Sequence, residues 1–259
     1  HSSPLLTLVM TLFNARLGWW LGNPKSAASV WKLPGPRLGV RAFIDEAFGL
    51  TDDKNDWIYL SDGGHFENLG LYEMVLRRCS LVVVSDAGAD PGYKYEDLGN
   101  AVRKVRIDLG IPIEFERPSM PMSPVGEPNE RFSGNHCAIG RIHYGAVDPG
   151  AEPGTLIYIK ASLNGNEPAD VKQYAALDSR FPHQPTSDQF FDESQFESYR
   201  RLGQHIIEEI CGGMQGPIRR LDLQEFKNKA ETYARIGAPP VSGSAAEVSG
   251  GDSLHVVRR

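Results

Sequence analysis

The residues best suited to chemistry lie together in one short stretch, Ser61-Asp62-Gly63-Gly64. Asp62 follows an apolar segment, residues 57–60, which reads as a strand that ends at the acid. A carboxylate in that position can act as a general base or orient a nucleophilic hydroxyl group. The two glycines let the backbone turn sharply and approach a substrate closely. Because an aspartate before glycine also suits a turn or a helix cap, both interpretations of Asp62 stay open.

Several polar residues near Asp62 are further candidates. Asn68 either caps the following helix or braces the Asp62 loop, and capping is the preferred interpretation. His65 and Glu67 form a His-x-Glu pair, and with Asp86 they define a weaker hypothesis, a metal-dependent hydrolase. Asp86 and Asp90 follow the next predicted strand, where they either line the same cleft or form a turn.

A second group of reactive residue types lies on one predicted strand, residues 136–144. His136 and Cys137 are adjacent, so their side chains point to opposite faces of a strand and do not suit joint metal binding. With His143 they also raise the possibility of a thiol nucleophile. The sequence places no partner beside them, so we expect buried core positions.

The segments around Asp62 predict an α/β fold. Residues 57–60, 68–78 and 81–85 read as strand, helix and strand, which is the parallel crossover unit. In open α/β sheets the ligand binds at the carboxyl ends of the strands, where Asp62 lies. A helix over residues 95–109 closed by Gly110 follows, and then a strand over 111–115. This alternation predicts a doubly wound sheet.

The remaining segments predict helices and one hairpin. Residues 5–21 show the apolar spacing of a helix, and residues 118–133 read as a surface loop or a lid. Two strands, 136–144 and 155–163, are expected to form a hairpin at the edge of the sheet. A long helix is predicted to begin at a Thr186–Gln189 capping box, and a last helix covers 222–236.

The chain resembles the patatin-like phospholipases, and within them a group of large bacterial proteins. The resemblance is carried by Ser61-Asp62-Gly63-Gly64 with Asn68-Leu69-Gly70, and it extends over residues 1–213. It implies a three-layer αβα sheet, here the C-terminal part of the catalytic domain with an edge hairpin and C-terminal helices. Residues 214–237 would be a helical extension and 238–259 a disordered tail.

The resemblance also implies a Ser/Asp dyad that hydrolyses lipid or other esters. Asp62 would be the dyad acid/base, Gly63 and Gly64 would shape the oxyanion loop, and His65, Asn68 and Asp86 would support them. The family's nucleophile belongs to a G-x-S-x-G turn, which does not occur in these 259 residues. We therefore expect the nucleophilic serine in an upstream half of the same polypeptide, without which this fragment is inactive. The alternative is a non-catalytic interaction or scaffold module on the same fold.

Composition limits the partners. The formal net charge of −6 and the pI near 5.7 argue against nucleic-acid binding. The three cysteines are far apart, which indicates reduced thiols in a cytoplasmic setting and no zinc-knuckle motif. Neither the family nor these motifs require a cofactor or a metal. No signal peptide is visible, and the apolar run over residues 4–21 contains Asn14 and Arg16. Membrane contact is therefore expected only peripherally or through upstream spans.

Overall fold

The computed structural model describes residues 18–26, 30–37, 39–48, 50–115, 134–212 and 221–236. The chain divides into two compact units, residues 1–70 and residues 71–259. Within the described residues each unit has its own sheet, with two strands in the first and four in the second. The α/β class is therefore confirmed. The predicted surface loop or lid (118–133) and the predicted tail (238–259) lie outside the described residues.

The first unit is built on an antiparallel pair of strands. Strand β1 (Trp19–Gly22) pairs with β2 (Trp57–Leu60), and helix α1 (Gly39–Ala47) lies between them in sequence. The rings of Trp20 and Tyr59, opposite each other in the register, are 5.3 Å apart. The helix predicted over residues 5–21 is wrong at its end, because residues 19–22 are extended; residues 1–17 lie outside the description.

The predicted parallel crossover around Asp62 is wrong. Strand β2 pairs with β1, whereas β3 (Leu81–Asp86), after the short helix α2 (Leu71–Leu76), belongs to the other sheet. The residues of β2 are half-buried or exposed, as in a two-stranded ribbon, whereas a central parallel strand is buried on both faces. The apolar run alone did not distinguish these two settings.

The second unit contains a mixed sheet with strand order β3-β6-β5-β4. Its other strands are β4 (Ile113–Phe115), β5 (Cys137–Ile142) and β6 (Gly154–Lys160). Strands β3 and β6 are parallel, and the other two pairs are antiparallel, so the sheet is not doubly wound. The β5–β6 hairpin is confirmed as a pair. Its predicted place at the edge is wrong, because both strands have neighbours on both sides.

The described part of the second unit has four helices that are longer than α2. They are α3 (Glu96–Leu109), α4 (Ala169–Leu177), α5 (Glu193–Ile210) and α6 (Leu223–Ile236). Gly110 ends α3 with a φ of 69°, as predicted, because its backbone N–H bonds back to Arg106 in a left-handed cap. The predicted start of α5 at Thr186 is wrong. Asp192 is the N-cap, since its carboxylate accepts the Gln195 N–H at 2.7 Å.

One face of the second sheet packs against helices to form an apolar core. Ile157 and Ile159 of β6 pack with residues of β5 and of helices α4, α5 and α6. Side chains alternate along a strand, so Tyr158 and Lys160 point to the other face of the sheet. Both are fully buried there, which puts a phenol and an ammonium group in the interior.

No helix within the described ranges has the length and apolar character needed to cross a bilayer.

Two glycines of the second unit give opposite predictions on replacement by alanine. A Cβ on Gly154 would come within 2.8 Å of the Tyr144 ring, which is itself held by a hydrogen bond to Cys79. We expect Gly154→Ala to lower the free energy of unfolding by about 1–3 kcal/mol. Gly99, exposed in α3, has open space around it, and Gly99→Ala should raise stability by about 0.5–1 kcal/mol. Urea denaturation measures both; equal effects of the two variants would contradict this packing.

Candidate functional site

Asp62 lies immediately after β2 on an exposed turn. It is the N-cap of a single 3-10 turn, Gly63–His65, and its Oδ1 accepts the Gly64 N–H at 3.0 Å. The turn-forming role considered from the sequence is thus present. The side chain is exposed, so the carboxylate is also accessible to another group. Holding one oxygen on a backbone N–H fixes the orientation of the carboxyl group.

The two glycines after Asp62 have different surroundings. A Cβ on Gly64 would lie 2.5 Å from Oδ1 of Asn68 and 3.4 Å from Oδ1 of Asp62, so a larger residue would displace one of them. A Cβ on Gly63 would meet no atom within 4 Å in the described residues. Asn68 therefore packs on the Asp62 loop. The preferred capping role is wrong, because α2 begins only at Leu71.

His65 and Glu67 bond to their own loop. Nδ1 of His65 lies 3.3 Å from the Ser61 hydroxyl and 3.2 Å from the Asp62 carbonyl oxygen. Glu67 is buried, and its Oε1 accepts the Leu69 N–H at 2.5 Å. These contacts stabilise the turn that presents Asp62.

Asp86 belongs to a buried polar cluster at the carboxyl ends of the parallel strands β3 and β6. Its Oδ2 accepts hydrogen bonds from the Tyr158 hydroxyl and, at 3.1 Å, from Nζ of Lys160. Its Oδ1 accepts the Gly88 N–H at 2.8 Å, which is the predicted turn-forming contact. Burial, followed by the bond to Asp86, raises the pKa of Tyr158 far above its ordinary value.

Asp90 and His183 complete this cluster. Asp90 accepts the backbone N–H groups of Lys94 and Tyr95, and its Oδ2 lies 3.9 Å from Nζ of Lys160. Nδ1 of His183 accepts the Asp90 N–H at 3.3 Å, so this nitrogen carries no proton. Burial, together with the nearby Lys160 charge, lowers the pKa of His183 to about 4.

The Lys160 cluster adjoins a cavity of about 260 Å³. Asp86, Asp90, Lys94, Tyr95 and Lys160 line it, together with the glycines of the 86–92 loop. The ammonium group of Lys160 has three protons, and Asp86, the Gly88 carbonyl oxygen at 3.3 Å and Asp90 surround it. Since its partners occupy it, Lys160 stabilises the strand ends rather than serving as a free base.

Three further side chains meet between the start of β5 and helix α5. The ligand atoms of His136, His205 and Glu209 all lie within 4.8 Å of one another, the one such metal-compatible group among the described residues. Nε2 of His136 is 3.4 Å from Oε2 of Glu209, and Nε2 of His205 is 3.3 Å from Oε1. His136 is fully buried, and the other two side chains are almost so.

The carboxylate of this trio is strongly held as an anion. Burial alone would raise the pKa of Glu209, but the His136 and His205 imidazoles outweigh it and hold the pKa well below its ordinary value. Asn164 donates to Oε2 of Glu209 at 2.6 Å, and the Tyr233 hydroxyl lies 3.4 Å from the same oxygen.

Sequence reasoning missed this trio and the lysine. The predicted buried core position of His136 is confirmed. What the sequence did not indicate is its neighbours, Ser162 after β6 and Glu209 on α5. A signal existed in His205 and Glu209, because residues four apart share one face of a helix. Lys160 gave no signal, because a lysine at a strand end is ordinarily exposed.

Comparisons of this chain with known protein families, with curated proteins and with solved structures find no match.

The buried ion pair predicts a strong, coupled loss of stability. Lys160→Met leaves Asp86 charged and buried without its cation, so we expect unfolding free energy to fall by about 3–5 kcal/mol. Asp86→Asn should also destabilise, and the double variant should lose less than the sum of the single losses. Arg200→Met, which breaks an exposed pair with Glu197, is the control and should leave stability nearly unchanged. Additive losses in urea denaturation would contradict the pairing.

The lowered pKa of His183 predicts that the stability of the protein decreases as the pH falls from 6.5 to 4. Unfolded histidine binds a proton below about pH 6.5, but folded His183 does so only below about pH 4, since burial and Lys160 outweigh Asp86 and Asp90. Its contribution is therefore complete above pH 6.5 and is lost as the pH falls to 4, by about 3 kcal/mol. The free energy of unfolding, measured by denaturation at several pH values between 4 and 6.5, should depend less on pH in His183→Gln than in the wild type. Identical slopes for both proteins would rule out a neutral buried His183.

Proposed function

We propose that this chain carries the aspartate of a Ser/Asp lipid acyl hydrolase of the patatin type. Asp62 is the dyad acid/base, and the nucleophilic serine belongs to a segment upstream of His1. In this proposal residues 1–213 are the C-terminal part of the three-layer catalytic domain. The substrate is a lipid or another carboxylic ester.

The observation that carries the proposal is the presentation of Asp62. An exposed carboxylate at a strand end, with one oxygen held by the Gly64 N–H, is oriented and accessible to a serine hydroxyl group. Asn68 and His65 pack against the same turn and support that orientation. The sequence motif over residues 61–70 adds the family resemblance to this geometry.

The test is fluorophosphonate labelling of the polypeptide that includes the upstream segment. Asp62→Asn keeps an oxygen for the Gly64 N–H but removes the base, so labelling should slow by about 100-fold or more. Asp52→Asn is the matched control, because exposed Asp52 makes the same kind of turn contact, with the Lys54 N–H at 2.9 Å. Its labelling should stay near the wild-type rate.

Two results would overturn the proposal. Wild-type labelling rates in Asp62→Asn would remove Asp62 from the dyad. Labelling of the 259-residue chain by itself would place the nucleophile inside this chain.

A second candidate function is a patatin-like interaction module. The specific observation in its favour is aromatic exposure at the start of α5, where Phe190 is 94% and Phe196 is 64% exposed. Such residues are enriched in protein-binding surfaces. If the extended polypeptide does not label while a known serine hydrolase does, this function replaces the hydrolase.

A further inference from the structure

The trio of His136, His205 and Glu209 joins two segments that are distant in sequence. His136 directly precedes β5, whereas His205 and Glu209 lie one turn apart on the inner face of α5. Helix α5 packs on β5 and β6 through Leu202, Ile206 and Ile210, which fixes this face against the strand. The three ligand atoms therefore meet on two rigid elements rather than on a loop.

The hydrogen bonds of His136 account for its Nδ1 but not for its Nε2, which faces Glu209. A cation is therefore needed between His136 and Glu209. The Ser162 hydroxyl donates its one proton to the Lys160 carbonyl oxygen at 3.2 Å, so it accepts from Nδ1 of His136 at 2.7 Å. Without a cation, Nε2 in this tautomer would direct a lone pair towards the Glu209 carboxylate, whose Oε2 is 3.4 Å away. Across the described residues, neither this nitrogen nor Nε2 of His205 has a hydrogen-bond partner, although both are buried. A proton or a metal ion must screen these facing acceptors.

We propose that His136, His205 and Glu209 bind a Zn²⁺ ion. Two imidazoles and one carboxylate are a ligand set that suits zinc, whose bonds to nitrogen and oxygen are about 2.0–2.2 Å. In a tetrahedral site, such bonds separate neighbouring ligand atoms by about 3.3–3.5 Å. His136 lies 3.4 Å from Oε2 of Glu209 and His205 lies 3.3 Å from Oε1, so each imidazole is at that distance from one carboxylate oxygen. The ligand atoms of all three residues lie within 4.8 Å of one another. Magnesium, which prefers oxygen ligands, is not expected to bind.

The groups around the trio match the supporting contacts of a metal site. Ser162 fixes the tautomer of His136 that presents Nε2, as partners of ligating histidines do. Asn164 and Tyr233 contact the Glu209 carboxylate. Three protein ligands leave a fourth tetrahedral position, and His205 and Glu209 also line a cavity of about 830 Å³ that has room for water there. This site is independent of the Asp62 loop and goes beyond the proposed hydrolase.

The test is zinc binding by the 259-residue chain after removal of metal with a chelator. We expect one Zn²⁺ per chain by elemental analysis after dialysis, and a rise in Tm on adding Zn²⁺ but not Mg²⁺. His205→Asn should weaken binding by about 100-fold or more, and Ser162→Ala by about 10–100-fold. His143→Asn is the matched control, because half-buried His143 faces Glu114 at 3.3 Å and belongs to no group of three metal-compatible side chains in the described part of the chain. It should bind as the wild type does.

If a variant fails to fold, metal binding by the wild-type chain still tests the proposed zinc site. Co²⁺ replacing Zn²⁺ should give the visible bands of a four-coordinate nitrogen and oxygen site. A thiolate charge-transfer band would assign the metal to one of the three cysteines and overturn the proposal. Substoichiometric zinc in the folded wild-type chain, or unchanged binding in folded His205→Asn, would also overturn it.

Discussion

The structure of the second unit depends on one buried ammonium group. Lys160 is 1% exposed, and a charge in that position is stable only when it is paired and hydrogen-bonded. In the parallel register of β3 and β6 its direct partner is Asp86, the last residue of each strand facing the other. A slip of one strand by one residue would separate the two charges and turn the side chains of that strand to the opposite face. The ion pair therefore specifies the pairing of these strands.

The end of β6 positions both polar clusters of this unit. Lys160 contacts Asp86 on one face of the sheet, while its backbone N–H bonds to the His136 carbonyl oxygen at 3.0 Å. Two residues later, Ser162 accepts from the His136 ring. The apolar residues Ile157 and Ile159 alternate with Tyr158 and Lys160 and pack against α5, whose inner face carries His205 and Glu209. One strand thus fixes a charged cluster, a core and the proposed zinc ligands.

The sequence predicted the elements whose signals are local. Helix α3, with its Gly110 cap, and the three longer strands of the second sheet were expected, as was the turn at Asp62. The predictions that failed are those that depend on contacts between residues distant in sequence. Strand β2 pairs with β1 instead of β3, and the β5–β6 hairpin is interior because β3 pairs with β6. For the same reason Asp86 gave no sign of Lys160, 74 residues away, and His136 gave none of Glu209.

The central functional claim is that Asp62 acts on a serine outside these residues. Its turn, anchored through Gly64 and Asn68, presents the carboxylate on an exposed surface. The most direct measurement is the coding sequence immediately upstream of His1. We predict a G-x-S-x-G motif that follows an apolar strand and precedes a helix. A glycine or alanine in place of that serine, or no such motif, would contradict the hydrolase and favour an interaction module.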